Sequence, residues 1–139
     1  MEDRPITTVT AAVIERDNRV LICRRRMDQD HPGKWEFPGG KLEPGEEPAE
    51  SLRRELREEL SIAATIGQEI TRYEYNYPGR KPIRLVFFCV TDFQGEPDYS
   101  QFHQVEWAPR TELPRYDFLE GDVDFVRDLA AGKFVVGRP

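Results

Sequence analysis

GGKLEPGEEPAESLRRELREEL, running from Gly39 to Leu60, crowds Glu46, Glu47, Glu50, Glu55, Glu58 and Glu59 into one short region. Its second half has a helical period. Ala49, Leu52 and Leu56 recur at i, i+3, i+7, and Leu60 extends the stripe. Pro48 suits the first helical turn, where a missing N–H leaves no bond unmade. Glu46, Glu47 and Glu50 stand near the positive end of the helix dipole. Glu55, Glu58 and Glu59 then share a face away from Leu52 and Leu56. Like charges at these spacings cost about 0.2–0.5 kcal/mol per pair. Arg53, Arg54 and Arg57 offset part of that, through the favourable pairs Glu50–Arg54 and Arg54–Glu58. A solvated, salt-bridged face is one reading. The preceding loop supports another. Gly39 and Gly40 let the backbone approach a ligand closely. Loop carbonyls and helical carboxylates then offer hard oxygen donors around one point, which suits Mg²⁺ or Mn²⁺ rather than zinc. A cation between the carboxylates removes their repulsion.

Working outward, PITTVTAAVIER reads as a strand, Asp17-Asn18 as a turn and RVLICRRR as the second arm of a hairpin. MDQDHPGKWE reads as a loop, and Pro38-Gly39-Gly40 as a sharp bend. Residues 62–77 read as extended structure with polar interruptions. Pro78-Gly79 is a turn, PIRLVFFCVTDF the most strand-like run, and QVEWAP a short strand ended by Pro109. LEGDVDFVRDLAAG predicts a closing helix with Gly132 as its cap. Strands, helix, strands and helix make a mixed α/β (α+β) class, and 139 residues fit a single domain over 1–139.

Hydrophobic residues are 38% and charged residues 33%, a balance suited to a globular chain with its own core. The net charge of −6 argues against a general nucleic-acid binder. It leaves room for a small polyanion, because an arginine cluster or a bound cation reverses the local sign. Cys23 and Cys89 lie far apart in apolar segments and read as buried thiols. No signal peptide is visible at MEDRPITTVT, and no apolar run approaches a membrane span, so the expected compartment is the cytoplasm.

The central stretch resembles the Nudix box: Gly, five residues, Glu, seven residues, then Arg-Glu-hydrophobic-any-Glu-Glu-any-Gly-hydrophobic. The matching residues are Gly40, Glu46, Arg54, Glu55, Leu56, Glu58, Glu59 and Ile62, with Ser61 standing where the box has Gly. The flanks GKWEFPGGKLEPGE, YPGR, the Glu-Trp at Trp107 and YDFLEGD resemble the MutT-like branch, over roughly residues 6 to 130. The resemblance implies the Nudix fold, a mixed β-sheet sandwiched between α-helices with the box as loop-helix-loop. It also implies Mg²⁺-dependent hydrolysis of a (deoxy)nucleoside triphosphate to a monophosphate and pyrophosphate. The combined motifs look closest to enzymes of CTP, modified dCTP and oxidised purine nucleotides such as 8-oxo-dGTP.

By the same resemblance, Glu55, Glu58, Glu59 and the Gly39 carbonyl hold the metal, and either Glu55 or Glu59 serves instead as the base for water. Arg54 orients a carboxylate and Glu46 supports that network, although Glu46 also reads as a helix-start charge. Arg25 and Arg80 match phosphate-side arginines, Phe37 lines a base pocket or belongs to the core, and Asp122 reads the base edge or starts a helix. Arg24 and Arg26 read as surface charges. Gln101 departs from the branch, which often carries Glu there. An amide cannot act as a base, so either Gln101 orients water or Glu106 or Asp98 substitutes; His103 reads as structural or exposed. The expected partner is the nucleotide, with no stable nucleic-acid or membrane contact and a monomer or homodimer. Two other readings remain: a Nudix hydrolase of ADP-ribose, dinucleoside polyphosphates or RNA 5′ ends, and a catalytically weak nucleotide-binding module.

Overall fold

The structure, a computed structural model, describes residues 6–134. The two ends of the expected domain, 1–5 and 135–139, lie outside the described residues. Strand β1 (Thr7–Arg16) is the axis of the sheet. It turns at Asp17 and Asn18, both with left-handed φ (54° and 63°), into β2 (Arg19–Arg24), so the expected hairpin closes on a two-residue turn. Arg25 therefore lies just past the strand. β3 (Trp35–Glu36) pairs with β2, and β4 (Gly39–Lys41) with β1. After helix α1 (Pro48–Leu60) come β5 (Ala63–Thr65), β6 (Glu69–Tyr75), β7 (Ile83–Val90), β8 (Asp92–Gln94) and β9 (Gln104–Pro109). A 3-10 helix (Arg110–Arg115), a short 3-10 turn (Glu120–Asp122) and α2 (Val123–Ala130) follow. The sheet runs β3-β2-β1-β7-β6, with β9 added on β2 and β4 on β1, while β5 and β8 form a separate ladder. It is mixed: β1 and β7 are parallel, in register from Thr7–Ile83 to Ile14–Val90, and the other pairings of named strands are antiparallel.

Period-two alternation divides the core. Ala12, Ile14, Val86, Phe88 and Val90 face α1, where they meet Leu52, Leu56 and Leu60. Ala11, Val13, Leu85 and Phe87 face the other way, onto Phe125, Val126 and Leu129 of α2. The sheet thus lies between two helices, as expected. Full burial of each α1 leucine contributes about 2 kcal/mol, and this anchors the face that carries the carboxylates.

Local chemistry explains the helix ends. The Glu47 N–H donates to Glu50 Oε1 at 3.2 Å, satisfying one orphan donor at the start of α1. Ser61 caps the other end in the left-handed conformation (φ 60°), the backbone state that favours glycine. In α2, Gly132 N–H reaches Leu129 O and Lys133 N–H reaches Asp128 O, both at 3.1 Å, closing the last turn around a left-handed glycine.

Four expectations need correction. MDQDHPGKWE is a loop only as far as Lys34, since Trp35 and Glu36 form β3 against β2. Gly39–Gly40 is more than a bend: it forms β4 against β1, because a bare backbone can enter there. A Cβ at Gly39 would stand 2.0 Å from the Thr10 carbonyl oxygen. The closing helix begins later than LEGD, at Val123, after a 3-10 turn. Cys23 is buried, whereas Cys89 is only half-buried, with its Sγ accepting the Gln68 N–H at 3.2 Å. Among the described residues, no helix is long and apolar enough to cross a membrane.

Candidate active site

α1 turns Glu55 and Glu59 towards β4. Arg54 stands among them. Its Nε and Nη2 grip both oxygens of Glu46, at 2.7 and 3.0 Å. Its Nη1 reaches Glu58 Oε1 at 3.1 Å and Glu55 Oε2 at 3.3 Å, and Nη2 also donates to the Lys41 carbonyl at 3.3 Å. A planar fork suits such multiple donation. Glu46 is tied further by the Glu43 N–H at 2.8 Å. The Arg54 bond, then that N–H, hold the Glu46 carboxyl down at about 2. Glu46 thus belongs to the network.

The other carboxylates behave differently. Glu58 is the outward member, its side chain 58% exposed against 16% for Glu55. Glu55 lies over Gly40: a Cβ on Gly40 would stand 2.4 Å from the Glu55 carboxyl carbon. Burial raises the Glu55 pKa, Arg54 opposes this, and Glu58 adds to the rise. Glu59 is deeper and accepts the Gly39 N–H at 3.2 Å. Burial first, then the charges of Glu36 and Glu55, push it up to about 8. Among the described residues, no three acidic side chains converge on a single point, and Arg54 supplies the counter-charge in this arrangement. The donor set nonetheless fits a hard divalent cation. Two enclosed carboxylates raised by burial and by mutual repulsion lie over a glycine backbone, and all the ligands on offer are oxygens.

A second group of acids adjoins the first, and the motif gives no hint of its centre. Glu36, on β3, pairs with Arg25 Nη1 at 3.0 Å, with both side chains mostly enclosed. Burial raises its pKa and Arg25 partly restores it. Asp122, 5% exposed, is pushed up to about 8 by burial and then by the Glu36 charge. Glu36 therefore connects Glu59 electrostatically to Asp122. The sequence offers only a charged residue between two aromatics, Trp35 and Phe37; its strand and its place opposite Cys23 come from the fold. With its pKa raised to about 8, the Asp122 carboxyl keeps its proton in the neutral range and can donate as well as accept.

Arg25 spends Nε on the Asp30 carbonyl at 2.7 Å and Nη1 on Glu36, so two of its donors act inside the protein. Arg80 is exposed and pairs with the Asp30 carboxylate at 3.5 Å, so Asp30 connects the two arginines. Phe37 is a core residue, 4% exposed, stacked on Phe118 and edge-on to Phe87 and Phe125. Arg24 is not merely a surface charge: its Nε ties the loop at the Gly33 carbonyl, at 2.9 Å. Gln101 donates its amide to the Glu58 backbone carbonyl at 2.9 Å and so caps the last turn of α1. Asp98 turns its carboxylate to the Ser100 N–H, and Glu106 accepts from Gln104. Each of the proposed substitutes for Gln101 is thus engaged locally. A hollow of about 680 Å³ lies at the far end of β1, lined by Glu15, Arg16, Asp92, Phe93 and Glu96, and holds none of these residues.

With this geometry in view, comparison with known proteins is specific. A family model described as the NUDIX domain matches residues 4–129. The chain is 37% identical over 123 residues to a CTP pyrophosphohydrolase of Escherichia coli K12, covering 88% of this chain and 90% of that protein. It is 30% identical over 128 residues to an 8-oxo-dGTP diphosphatase of Haemophilus influenzae, covering 91% and 93%. Among solved structures it is similar to the E. coli ORF135 protein, with a TM-score of 0.81 and 35% identity over 92% of this chain and 91% of that one.

Proposed function

The chain belongs to the NUDIX family of hydrolases, and on that footing we propose that it converts a cytosine or oxidised purine (deoxy)nucleoside triphosphate into the monophosphate and pyrophosphate. One observation carries the reading. The Arg54-centred carboxylates of α1 stand over Gly39–Gly40 and join, through Glu36, a buried acid at Asp122. One end suits a polyphosphate with a cation, and the other suits a base edge.

Glu55, Glu58, Glu59 and the Gly39 carbonyl would hold Mg²⁺, with Mn²⁺ as a substitute, and the ion would neutralise phosphate oxygens and acidify water. The remaining work falls to the protein. Arg54 fixes Glu46, Glu55 and Glu58 in place. Glu55 and Glu59 divide two duties, ion ligand and proton acceptor, and the upward shift of both moves them towards the range a general base needs. Water attacks phosphorus, its proton passes to the accepting carboxylate, and the bridge between the first and second phosphates breaks. Arg25, held by Glu36, and Arg80, at the rim, lower the cost of bringing a polyanion near so many carboxylates.

Asp122 bears on the base. A neutral carboxylic acid offers one donor and one acceptor side by side. That pair matches the N3 acceptor and N4 amino donor of cytosine. The name of the E. coli CTP pyrophosphohydrolase agrees with this choice.

The test is a product assay with Mg²⁺ across the common NTPs and dNTPs, 8-oxo-dGTP, 5-methyl-dCTP, ADP-ribose and a dinucleoside polyphosphate. Expected is metal-dependent release of pyrophosphate, fastest with a cytosine nucleotide and lost in Glu59→Gln. Turnover confined to ADP-ribose or the dinucleoside would overturn the triphosphate reading, and binding without turnover would make the chain a nucleotide-binding module.

A further inference from the structure

Gly121, immediately before Asp122, has both of its backbone polar groups taken by phenols from β6 and the turn that follows it. Tyr73 Oη on β6 donates to the Gly121 carbonyl at 2.6 Å, and the Gly121 N–H donates to Tyr77 Oη at 2.9 Å. The carbonyl belongs to the peptide bond that leads into Asp122, so Tyr73 holds the plane from which that side chain departs. Contact is close: a Cβ there would stand 2.9 Å from Tyr77 Oη and 3.3 Å from both Leu85 Cδ1 and Tyr75 Cδ2, so a larger residue would displace the Tyr77 phenol.

Neither phenol is loose. The Tyr73 ring stacks on Phe87, with centroids 5.8 Å apart, and Phe87 stacks on Phe125 of α2 at 3.9 Å. Tyr77 meets Tyr75 edge-on at 4.8 Å, and its ring lies 5.0 Å from His31. His31 follows Asp30, whose carbonyl holds Arg25, and Arg25 holds Glu36. Tyr77 therefore touches the supports of both acids, Gly121 on one side and the loop behind Glu36 on the other. Burial, and then the nearby Asp122 charge, keep the Tyr73 phenol protonated and able to donate.

We propose that Tyr73 and Tyr77 are positioning residues for base selection, clamping the Gly121 peptide so that Asp122 is held at a fixed depth beside Glu36. The inference rests on the reading that Asp122 faces the base. A hydrogen-bonding pair discriminates only when held within a few tenths of an ångström, because a misplaced donor leaves a buried group unpaired for the right base as well as the wrong one. The bland alternative is that the phenols only satisfy buried peptide groups, as most buried hydroxyls do.

The two differ in what they move. The experiment measures kcat and KM for CTP, dCTP and 8-oxo-dGTP in the wild type, Tyr73→Phe, Tyr77→Phe and Asp122→Asn, and in each tyrosine change combined with Asp122→Asn. Thermal stability is followed alongside. Expected is a roughly tenfold narrowing of the kcat/KM ratio between the best and next base in each tyrosine variant, carried by KM with kcat held. In the Asp122→Asn background the tyrosine changes should add nothing to that ratio. A lower melting temperature with an unchanged ratio overturns the inference and leaves the phenols structural. An Asp122→Asn ratio equal to wild type overturns the base reading itself, and the inference with it. A shifted Asp122→Asn ratio beside unmoved tyrosine variants overturns the inference alone. Should Tyr73→Phe not fold, Tyr77→Phe decides, since it removes only an acceptor.

Discussion

The two ends of the site solve the problem of crowded acids in opposite ways. On α1, charge answers charge: Arg54 binds Glu46, Glu55 and Glu58, and Glu46 is held ionised at about 2. Around Asp122, burial does the work, and the acid is pushed up to about 8 with Glu36 beside it. Glu59 stands at the border. It lies on the charged helix yet titrates like the buried acid, at about 8. An acid compensated by arginine stays an anion and can hold a cation. An acid protected by burial stays neutral and can donate a hydrogen bond.

The comparison is most exposed at Glu59. Glu59→Gln should lower kcat by about 10²–10⁴-fold, with no loss of melting temperature at pH 8.5, since a repelled buried charge is gone. If Asp122→Asn lowered kcat as far, the division into a chemical end and a recognition end would collapse. A smaller effect is expected from Arg54→Lys. The charge survives, but an ammonium cannot grip both Glu46 oxygens while reaching Glu55 and Glu58. Activity or Mg²⁺ affinity should fall about 10–100-fold, and wild-type kinetics would show that the fork is dispensable.

The α1 end was legible in the sequence because a helix turns spacing into geometry. Glu55, Glu58 and Glu59 share a face by periodicity alone, and the glycines that admit β4 adjoin them in the chain. Even there, the role of Gln101 as a cap on Glu58 was hidden, since nothing in SQFHQVEW announces a helix end 43 residues earlier. The Asp122 end was mostly illegible. It is assembled from β3, β6 with its following turn, and the 3-10 turn before α2, and only the fold brings these together. Phe37 shows the same limit: the sequence left base pocket and core both open, and the fold packs the ring, just past β3, among Phe118, Phe87 and Phe125.

pH sharpens the contrast further. Glu59 and Asp122 have folded pKa values raised above the ordinary 4.5 and 3.8. Between those values and about 8, the unfolded chain has released protons that the folded chain still binds, so stability falls as pH rises through that window. The proposed cation binding would run the other way, because Glu59 has to release its proton before it can serve as a ligand. The thermal shift produced by Mg²⁺ should therefore grow from pH 6 to pH 8, with apparent affinity improving up to about tenfold per pH unit. Glu59→Gln should abolish that dependence and Asp122→Asn should keep it. Differential scanning fluorimetry at several pH values checks both.

The smallest effect is expected at the cap. Ser61→Gly relieves a left-handed serine and should stabilise the chain by about 0.5–1 kcal/mol in urea unfolding, with kcat unchanged. A change in turnover would mean that the αL cap sets the height of Glu58 and Glu59 rather than merely ending their helix.

The parallel pairing of β1 with β7 also has a consequence for biosynthesis. Thr7 waits for Ile83, a partner more than half the chain away, while the hairpin and α1 are already out of the ribosome. At about 5–20 residues per second, that interval is several seconds. Until it ends, Leu52, Leu56 and Leu60 have no complete sheet to cover them, whereas Glu50, Arg53, Arg57 and Glu58 face solvent as they do in the folded chain. For that time, the charges on that exposed face are what keeps a nascent amphipathic segment from sticking to its neighbours.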